Sequence, residues 1–388
     1  MNSKTASKAL CHGYYVAFGM VGIGLLPGLV KSFEDAFSLS HTRMGLIMAA
    51  GAATFAVASF AGGVLFDRRG GRLVMSLAAG LSGLFALAVF FSPKVLFFIP
   101  ALLLFHAANG LGQVVNPLVG RLYGPRRAQG INLLHGFQGV GRLLAPLLIA
   151  ACIAATGGWR VTFVVSGGVF ALLLLLFLLG PDEGTALPDG PPAATTSPQW
   201  DSALVVGIVA FGFLSACESV IITWLPTFLE SERKFPKATA LLGLSFVMLG
   251  YTCVRMLIGV SRGRSLSRFI IATPVPLFGF MLALLSVRSI PLVFLSCFLL
   301  GFSFGMYWPS HAAAMFEYSP HAHGVLSAWF NVASVVGGMV LISLAGWLGD
   351  VFGLGWALLT APAAAVVYVS LYACFLVLGA RRRRLEER

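Results

Sequence analysis

Three charged residues stand inside long apolar stretches of this chain, where an ionised side chain is costly and is a functional candidate by default. Of the fourteen acids, Glu218 is the one that we place in the middle of such a stretch. Water-poor surroundings favour the neutral form of a carboxyl group, so Glu218 is the first candidate for carrying a proton. Arg142 and Arg255 also fall inside apolar stretches. Each guanidinium can bind a carboxylate through two hydrogen bonds, which predicts an anion site.

Structural roles are the alternatives for the same three residues. A glutamate can be paired permanently with a histidine or an arginine to hold helices together. The role of an arginine in such a stretch can also be limited to a hydrogen bond with the end of a neighbouring helix. This second alternative applies above all to Arg255, which falls in the inner part of its apolar stretch.

Two apolar stretches also carry rows of polar residues at steps of three or four, the spacing of one helix face. The rows are His106, Asn109, Gln113 and Asn116 in one stretch and Asn132, His135, Gln138 and Arg142 in the next. In helices of lipid length such rows must face a partner or a water-filled path. We predict that they bind solute, with Asn331 as a weaker candidate, and hydrogen bonding between helices is the alternative. His106 and His135 are the second candidates for proton coupling, because histidine titrates near physiological pH.

The elements that must hold these residues are membrane-spanning helices. Of the 388 residues, 58% are hydrophobic and 10% are charged, whereas about a quarter of a soluble domain is charged. A helical span needs about 20 apolar residues. We therefore predict an all-α membrane protein with twelve transmembrane helices. Their apolar runs fall near 9–31, 42–66, 71–92, 95–119, 129–155, 158–180, 203–229, 238–261, 267–287, 290–313, 321–349 and 354–380.

The chain divides into two similar parts around a segment rich in Pro, Gly, Ala and Thr, which is typical of a linker. We predict a six-helix bundle at 1–180, a cytoplasmic linker at 181–200, and a second six-helix bundle with a basic cytoplasmic tail at 201–388. Pro27 and Pro226 stand at matching places in the two parts. Such a pseudo-repeat is the pattern of parallel transporter bundles, and chance similarity between glycine-rich helices is the alternative.

The charges indicate the orientation and the partners. Most Lys and Arg residues outside the apolar runs fall on the side of both chain termini, and cytoplasmic loops carry this excess. We expect a multi-pass protein of the inner membrane with both termini in the cytoplasm. The net charge of +12 then reflects an anionic membrane surface and not nucleic-acid binding. The six cysteines form no C-x-x-C pair, so we expect no metal site. The sequence contains no known cofactor motif, so we expect no cofactor. We also expect a monomer.

The loop from Gly63 to Arg72 has the spacing G-x-x-x-D-R-x-G-x-R between two apolar runs. It resembles the signature loop of the major facilitator superfamily, between the second and third helices. In that family the glycine lets two helices pack closely, and the aspartate pairs with arginines across the two halves in one conformation. The resemblance implies that Gly63, Asp67, Arg68 and Arg72 are gating residues and do not bind solute. An ordinary basic cytoplasmic loop is the alternative.

Two further stretches, 132–146 and 218–229, are similar to the fucose and glucose proton-symporter branch of that superfamily. The sequence departs from this branch in two ways. No acid lies inside the first or the fourth predicted span, where those symporters place proton-carrying carboxylates, and Arg142 stands in the fifth. Both departures argue against a sugar.

These observations predict a secondary active transporter that moves a small polar solute, favouring a small organic anion carried with protons, by alternating access. A proton-coupled hexose symporter or a sugar uniporter is the second hypothesis. A membrane-embedded enzyme is a remote alternative, because the chain has no H-E-x-x-H or G-x-S-x-G motif.

Overall fold

The computed structural model describes residues 3–180, 200–260, 271–319 and 323–386. The described residues form twelve helices, which we number in chain order. They are α1 (Ser3–Phe37), α2 (His41–Arg69), α3 (Gly71–Phe90), α4 (Val95–Tyr123), α5 (Arg127–Thr156), α6 (Val161–Leu179), α7 (Ser202–Ser231), α8 (Lys237–Val260), α9 (Pro274–Ser286), α10 (Ile290–Tyr318), α11 (His323–Phe352) and α12 (Leu354–Glu386). The predicted all-α membrane fold is confirmed.

Eleven of the described helices contain a stretch long and apolar enough to cross a membrane, and α9 is the shorter apolar one. The sequence predicts a ninth span at 267–287, and the described α9 begins at Pro274, after helical residues at 271–272 and a turn at 273. Proline suits the first helical position because its missing N–H needs no partner there. The start of that predicted span and nearly all of the predicted linker at 181–200 lie outside the described residues.

Helices α1 and α5 approach each other at two glycines. A methyl group on Gly19 would overlap the carbonyl oxygen of Gln138, and one on Gly141 would overlap that of Val16. Helix α1 also contains a π-helical turn at Phe18–Gly22. Small residues allow such backbone contact where lipid supplies no hydrophobic drive. The contact fixes the middle of α5 against α1, and Arg142 is the next residue along α5.

We call α1–α6 and α7–α12 the two halves. They pack against each other along three seams, α2 with α11, α5 with α8, and α1 with α7. The first seam is tight near the start of α2, where Met44, Ile47 and Met48 are buried, whereas Val57 and Phe60 further along are exposed. We call the end of the molecule with the start of α2 the Asp350 face, and the end with the 63–72 loop the Asp67 face.

Candidate functional site

An ion pair joins the two halves near the middle of the membrane helices. Arg142 of α5 and Glu218 of α7 lie 3.5 Å apart between Nη1 and Oε1, and their side chains are 23% and 16% exposed. The hydroxyl of Tyr251 in α8 donates a 2.8 Å hydrogen bond to the same Glu218 oxygen. The predicted anion ligand and the predicted proton carrier are therefore partners, and Glu218 has the arginine pair that the structural alternative requires.

Arg255 lies one turn further along α8. Its guanidinium carbon stands 3.9 Å from the centre of the Tyr251 ring, and its Nε donates a 3.3 Å hydrogen bond to the carbonyl oxygen of Gly305. Gly305 ends the first segment of α10, just before a break at Met306. Arg255 thus bonds a helix end, as its structural alternative holds, while its guanidinium also lies beside the tyrosine that contacts Glu218.

His135 of α5 stands where the two halves meet. Its ring packs edge-on against Tyr15 of α1, with 5.4 Å between ring centres, and lies 6.0 Å from Trp308 of α10 in the other half. His135 and Gln138 are partly exposed and lie on the same face of α5 as Arg142.

Two of the predicted α4 ligands are packed between helices in this conformation. His106 is buried, and its ring fills the space beside Gly51 of α2, where a methyl group would come within 2.6 Å of it. Asn109 is fully buried and donates a 2.9 Å hydrogen bond to the carbonyl oxygen of Phe105 in its own helix. These positions fit the helix-packing alternative of the sequence analysis.

The next turns of α4 form a small polar network with α1. Tyr15 donates a 3.1 Å hydrogen bond to Oε1 of Gln113, and the Asn116 amide donates to the Gln113 carbonyl oxygen at 3.1 Å. Because Tyr15 also contacts His135, this network is continuous with the centre. Asn331 of α11 is exposed, and the side chain of Asn132 lies outside the described part of the chain.

The loop residues make contacts within their own half. Asp67 pairs with Arg121 of α4 at 3.6 Å, and Arg72 donates to the carbonyl oxygens of Phe177 and Leu178 at the end of α6. Arg68 is exposed. This conformation is therefore not the one in which the family aspartate reaches across the halves.

Gly63 is not the glycine of close approach in this conformation. A methyl group there would meet no heavy atom within 4 Å, whereas one on Gly62 would come 3.0 Å from the carbonyl oxygen of Leu111 in α4. One residue along a helix turns the side chain through about 100°. The neighbour of the expected glycine therefore faces α4.

The sequence analysis does not identify two residues that contact the centre or the other half. They are Tyr251, which bonds Glu218, and Asp350, which bonds the backbone of His41. Tyr251 stands four residues before Arg255, the spacing that places both on one helix face, and that spacing is the signal that could have revealed it. Asp350 lies at the end of α11, where an acid looks like an ordinary loop residue. Its contacts come from residues more than 300 positions away, and no local pattern encodes them.

Membrane-length helices in two halves, with a charged centre between them, define a polytopic transporter. The sequence profile of the Major Facilitator Superfamily matches residues 13–334, and the chain belongs to this family. The family and its relatives are transporters and not enzymes, which removes the enzyme alternative.

The relatives are remote. The chain is 28% identical to a hexuronate transporter of Bacillus subtilis over 52% of this chain and 50% of the relative, about half its length. It is 23% identical to a probable sulfoacetate transporter of Cupriavidus necator, over 93% of this chain and 92% of the relative. A crystal structure of a D-xylose–proton symporter superposes with a TM-score of 0.75 at 16% identity, over 95% of this chain and 97% of the other. At that identity the likeness shows the fold alone.

Proposed function

We propose that this transporter moves a small organic anion together with a proton, by rotation of its two halves about the centre between them. The observation that carries the proposal is the ion pair between Arg142 and Glu218, which links the halves near the middle of α5 and α7. A carboxylate placed there can bind the proton, and a guanidinium can bind the anion. A proton–anion symporter must carry both.

In the proposed cycle the solute and Glu218 compete for one guanidinium. With Glu218 ionised, Arg142 has a carboxylate partner and little attraction for another anion. A proton on Glu218 removes that partner, and the carboxylate of the solute takes its place, since a guanidinium binds carboxylates in the same paired geometry. Tyr251 keeps Glu218 in place through its hydrogen bond. Binding of the anion and uptake of the proton therefore favour each other.

The charge at the centre selects the sign of the solute. Arg142 and Arg255 outnumber Glu218 among the charged residues described there, and protonation of Glu218 raises the positive excess. We assign contacts with the solute to Arg142 of the ion pair, to His135 and Gln138 on the same face of α5, and to Arg255 beside Tyr251. We assign weaker contacts to Gln113 and Asn331. One named relative is a hexuronate transporter and the other a probable sulfoacetate transporter, and both of these solutes are organic anions. This supports an anion over a neutral hexose.

The proposal also assigns the two faces of the protein to the two sides of the membrane. With both termini in the cytoplasm, as the basic residues predict, the Asp67 face is cytoplasmic and the Asp350 face is external. In this conformation the backbones of α2 and α11 meet near the Asp350 face, at Gly45 and Gly346. The solute path of this state then leads to the cytoplasm.

The test is uptake by purified protein in liposomes, with and without an imposed pH gradient, against small carboxylates, sulfonates and neutral hexoses. We expect uptake of an organic anion that rises when the outside is acidic. Arg142→Gln should reduce this uptake more than tenfold, because each hydrogen bond to a charged group contributes about 1.5–3 kcal/mol. The matched control is Arg160→Gln, since Arg160 bonds the carbonyl oxygens of Phe90 and Ser92 away from the centre.

Two results contradict the proposal. One is uptake of a neutral hexose alone, which would establish the second hypothesis. The other is a folded Arg142→Gln protein that transports the anion at the rate of the Arg160→Gln control.

A further inference from the structure

Asp350 contacts the first residues of α2 across the boundary between the halves. Its Oδ1 accepts a 2.9 Å hydrogen bond from the backbone N–H of His41, and its Oδ2 accepts one of 2.8 Å from that of Thr42. The Thr42 hydroxyl donates to the same Oδ2. The N–H groups of a first helical turn have no partner within the helix, and the positive end of the helix dipole favours a carboxylate there. An acid of α11 therefore caps a helix of the other half.

The cap is part of a larger cluster that crosses the boundary. The His41 ring lies 2.7 Å from Oε1 of Glu34 at the end of α1, measured from Nδ1. It also packs edge-on against Trp224 of α7, with 5.6 Å between ring centres. Trp224 is fully buried and donates a 3.2 Å hydrogen bond to the Ile342 carbonyl oxygen of α11. The His41 backbone is thus bonded to the second half, and its ring contacts both halves.

Backbone proximity shows how closely the halves meet here. A methyl group on Gly346 of α11 would come 2.5 Å from the carbonyl oxygen of His41, and one on Gly45 of α2 would come 3.0 Å from that of Ile342. Both glycines lie on the seam between α2 and α11. Rotation of the halves that opens the Asp350 face must separate these backbones and remove the carboxylate from the α2 terminus.

We infer that Asp350 is a gating residue, and that its contacts with His41 and Thr42 hold the Asp350 face closed. The inference rests on the proposed alternating access but not on the nature of the solute. No pattern in the sequence assigns this role, and the signature loop is at the other face. A carboxylate that caps α2 only in the closed state stabilises that state by the difference in its contacts between the two states.

The same face offers a matched control. Glu232 also caps a helix, accepting hydrogen bonds from the backbone N–H groups of Leu354 and Gly355 at the start of α12. Both partners belong to its own half, so this cap does not change when the halves separate. Removal of either carboxylate exposes a helix terminus, but only the removal of Asp350 should change the equilibrium between closed and open.

The experiment measures the width of this face directly. Spin labels are placed at Lys94→Cys and Arg288→Cys, exposed loop positions of the two halves, in full-length protein with the six native cysteines replaced. Distances are recorded in lipid nanodiscs without solute. Asp350→Ala should raise the ratio of open to closed protein by roughly tenfold or more, the effect of losing one hydrogen bond to a charged group. Glu232→Ala should leave the ratio unchanged.

Two outcomes overturn the inference. One is a distance distribution for Asp350→Ala that matches the parent protein while the variant remains monodisperse and helical. The other is an equal opening in Glu232→Ala, which would show general loosening of helix ends. Because no solute is present, neither outcome depends on the proposed anion. If Asp350→Ala opens this face but the parent protein transports no anion, the proposed function is disproved and the gating role of Asp350 stands. The more conservative Thr42→Val removes one donor, and it should give a smaller shift in the same direction.

Discussion

The two ends of helix α2 meet acidic groups of different origin. At its start the backbone is capped by Asp350 from the other half, and at its end Asp67 pairs with Arg121 of its own half. The contacts of Arg72 with the end of α6 and of Asp201 with Arg382 likewise lie within one half. Among the residues that the structure describes, α2 is therefore bonded by the other half at its start and by its own half at its end.

The difference shows which contacts must exchange during transport. To close the Asp67 face, α2 must give up its cap from Asp350, and its loop must find partners in the second half. Between these ends lies the pair of Arg142 and Glu218, which spans the boundary in this state. In the proposed cycle, solute and proton act on this pair, and the contacts at the two ends set which face is open.

The largest difference is expected between two glycine substitutions, one on the α2–α11 seam and one near the other end of α2. Gly346→Ala places a methyl group 2.5 Å from the His41 carbonyl oxygen, whereas Gly63→Ala places one in open space. Overpacking of this kind costs about 1–3 kcal/mol. We expect Gly346→Ala to lower the thermal unfolding temperature and to reduce transport at least tenfold.

Gly63→Ala should leave the unfolding temperature within about 1 °C of the parent, since its methyl group meets nothing in this state. If the family role holds, it slows transport by disturbing packing in the opposite state. Equal losses of stability in both variants, measured by a fluorescence melting curve in detergent, would show that the two ends do not differ in this way.

A smaller effect is expected from Asp67→Asn. The Asp67 side chain is 70% exposed and lies 3.6 Å from Arg121, so the pair adds little to this state. The change should slow transport a few-fold while equilibrium solute affinity stays within a few-fold, because the loop biases conformations and does not touch solute. The control is Asp35→Asn at the other face, where the acid pairs with Lys31 one turn away. Loss of solute binding in folded Asp67→Asn protein contradicts this role.

The helices can be predicted well from the sequence because a membrane-spanning helix requires a long apolar stretch. About 20 apolar residues must follow one another, and the described helices begin and end near the predicted runs. For the ninth span the comparison covers only its later part, where α9 runs from Pro274 to Ser286. Span boundaries depend on local composition, which the sequence displays directly.

The site is predicted only in part. Glu218 and Arg142 stand out because charge is rare in apolar runs, but nothing in their separate helices shows that they meet. The α4 row has the same periodicity whether it faces water or a neighbouring helix. Only packing against Gly51 reveals that His106 is buried in this state. The Asp350 cap depends on the way in which two distant helix ends come together.

We propose that Glu218 couples the proton to the solute by releasing Arg142. Glu218→Gln imitates the protonated carboxyl permanently, so the measurement compares two activities of this variant in the same liposomes. One is uphill accumulation under an imposed pH gradient, and the other is exchange of labelled for unlabelled solute without a gradient. The control is Glu230→Gln, because Glu230 pairs with Lys237 at the Asp350 face and outside the centre.

We expect Glu218→Gln to lose accumulation and to keep exchange, since exchange requires only that the loaded carrier changes conformation. Glu230→Gln should keep both activities. Accumulation by Glu218→Gln at the rate of this control would contradict the account. Glu218 would then be a structural partner of Arg142, and His135 would be the next proton carrier to test, followed by His106.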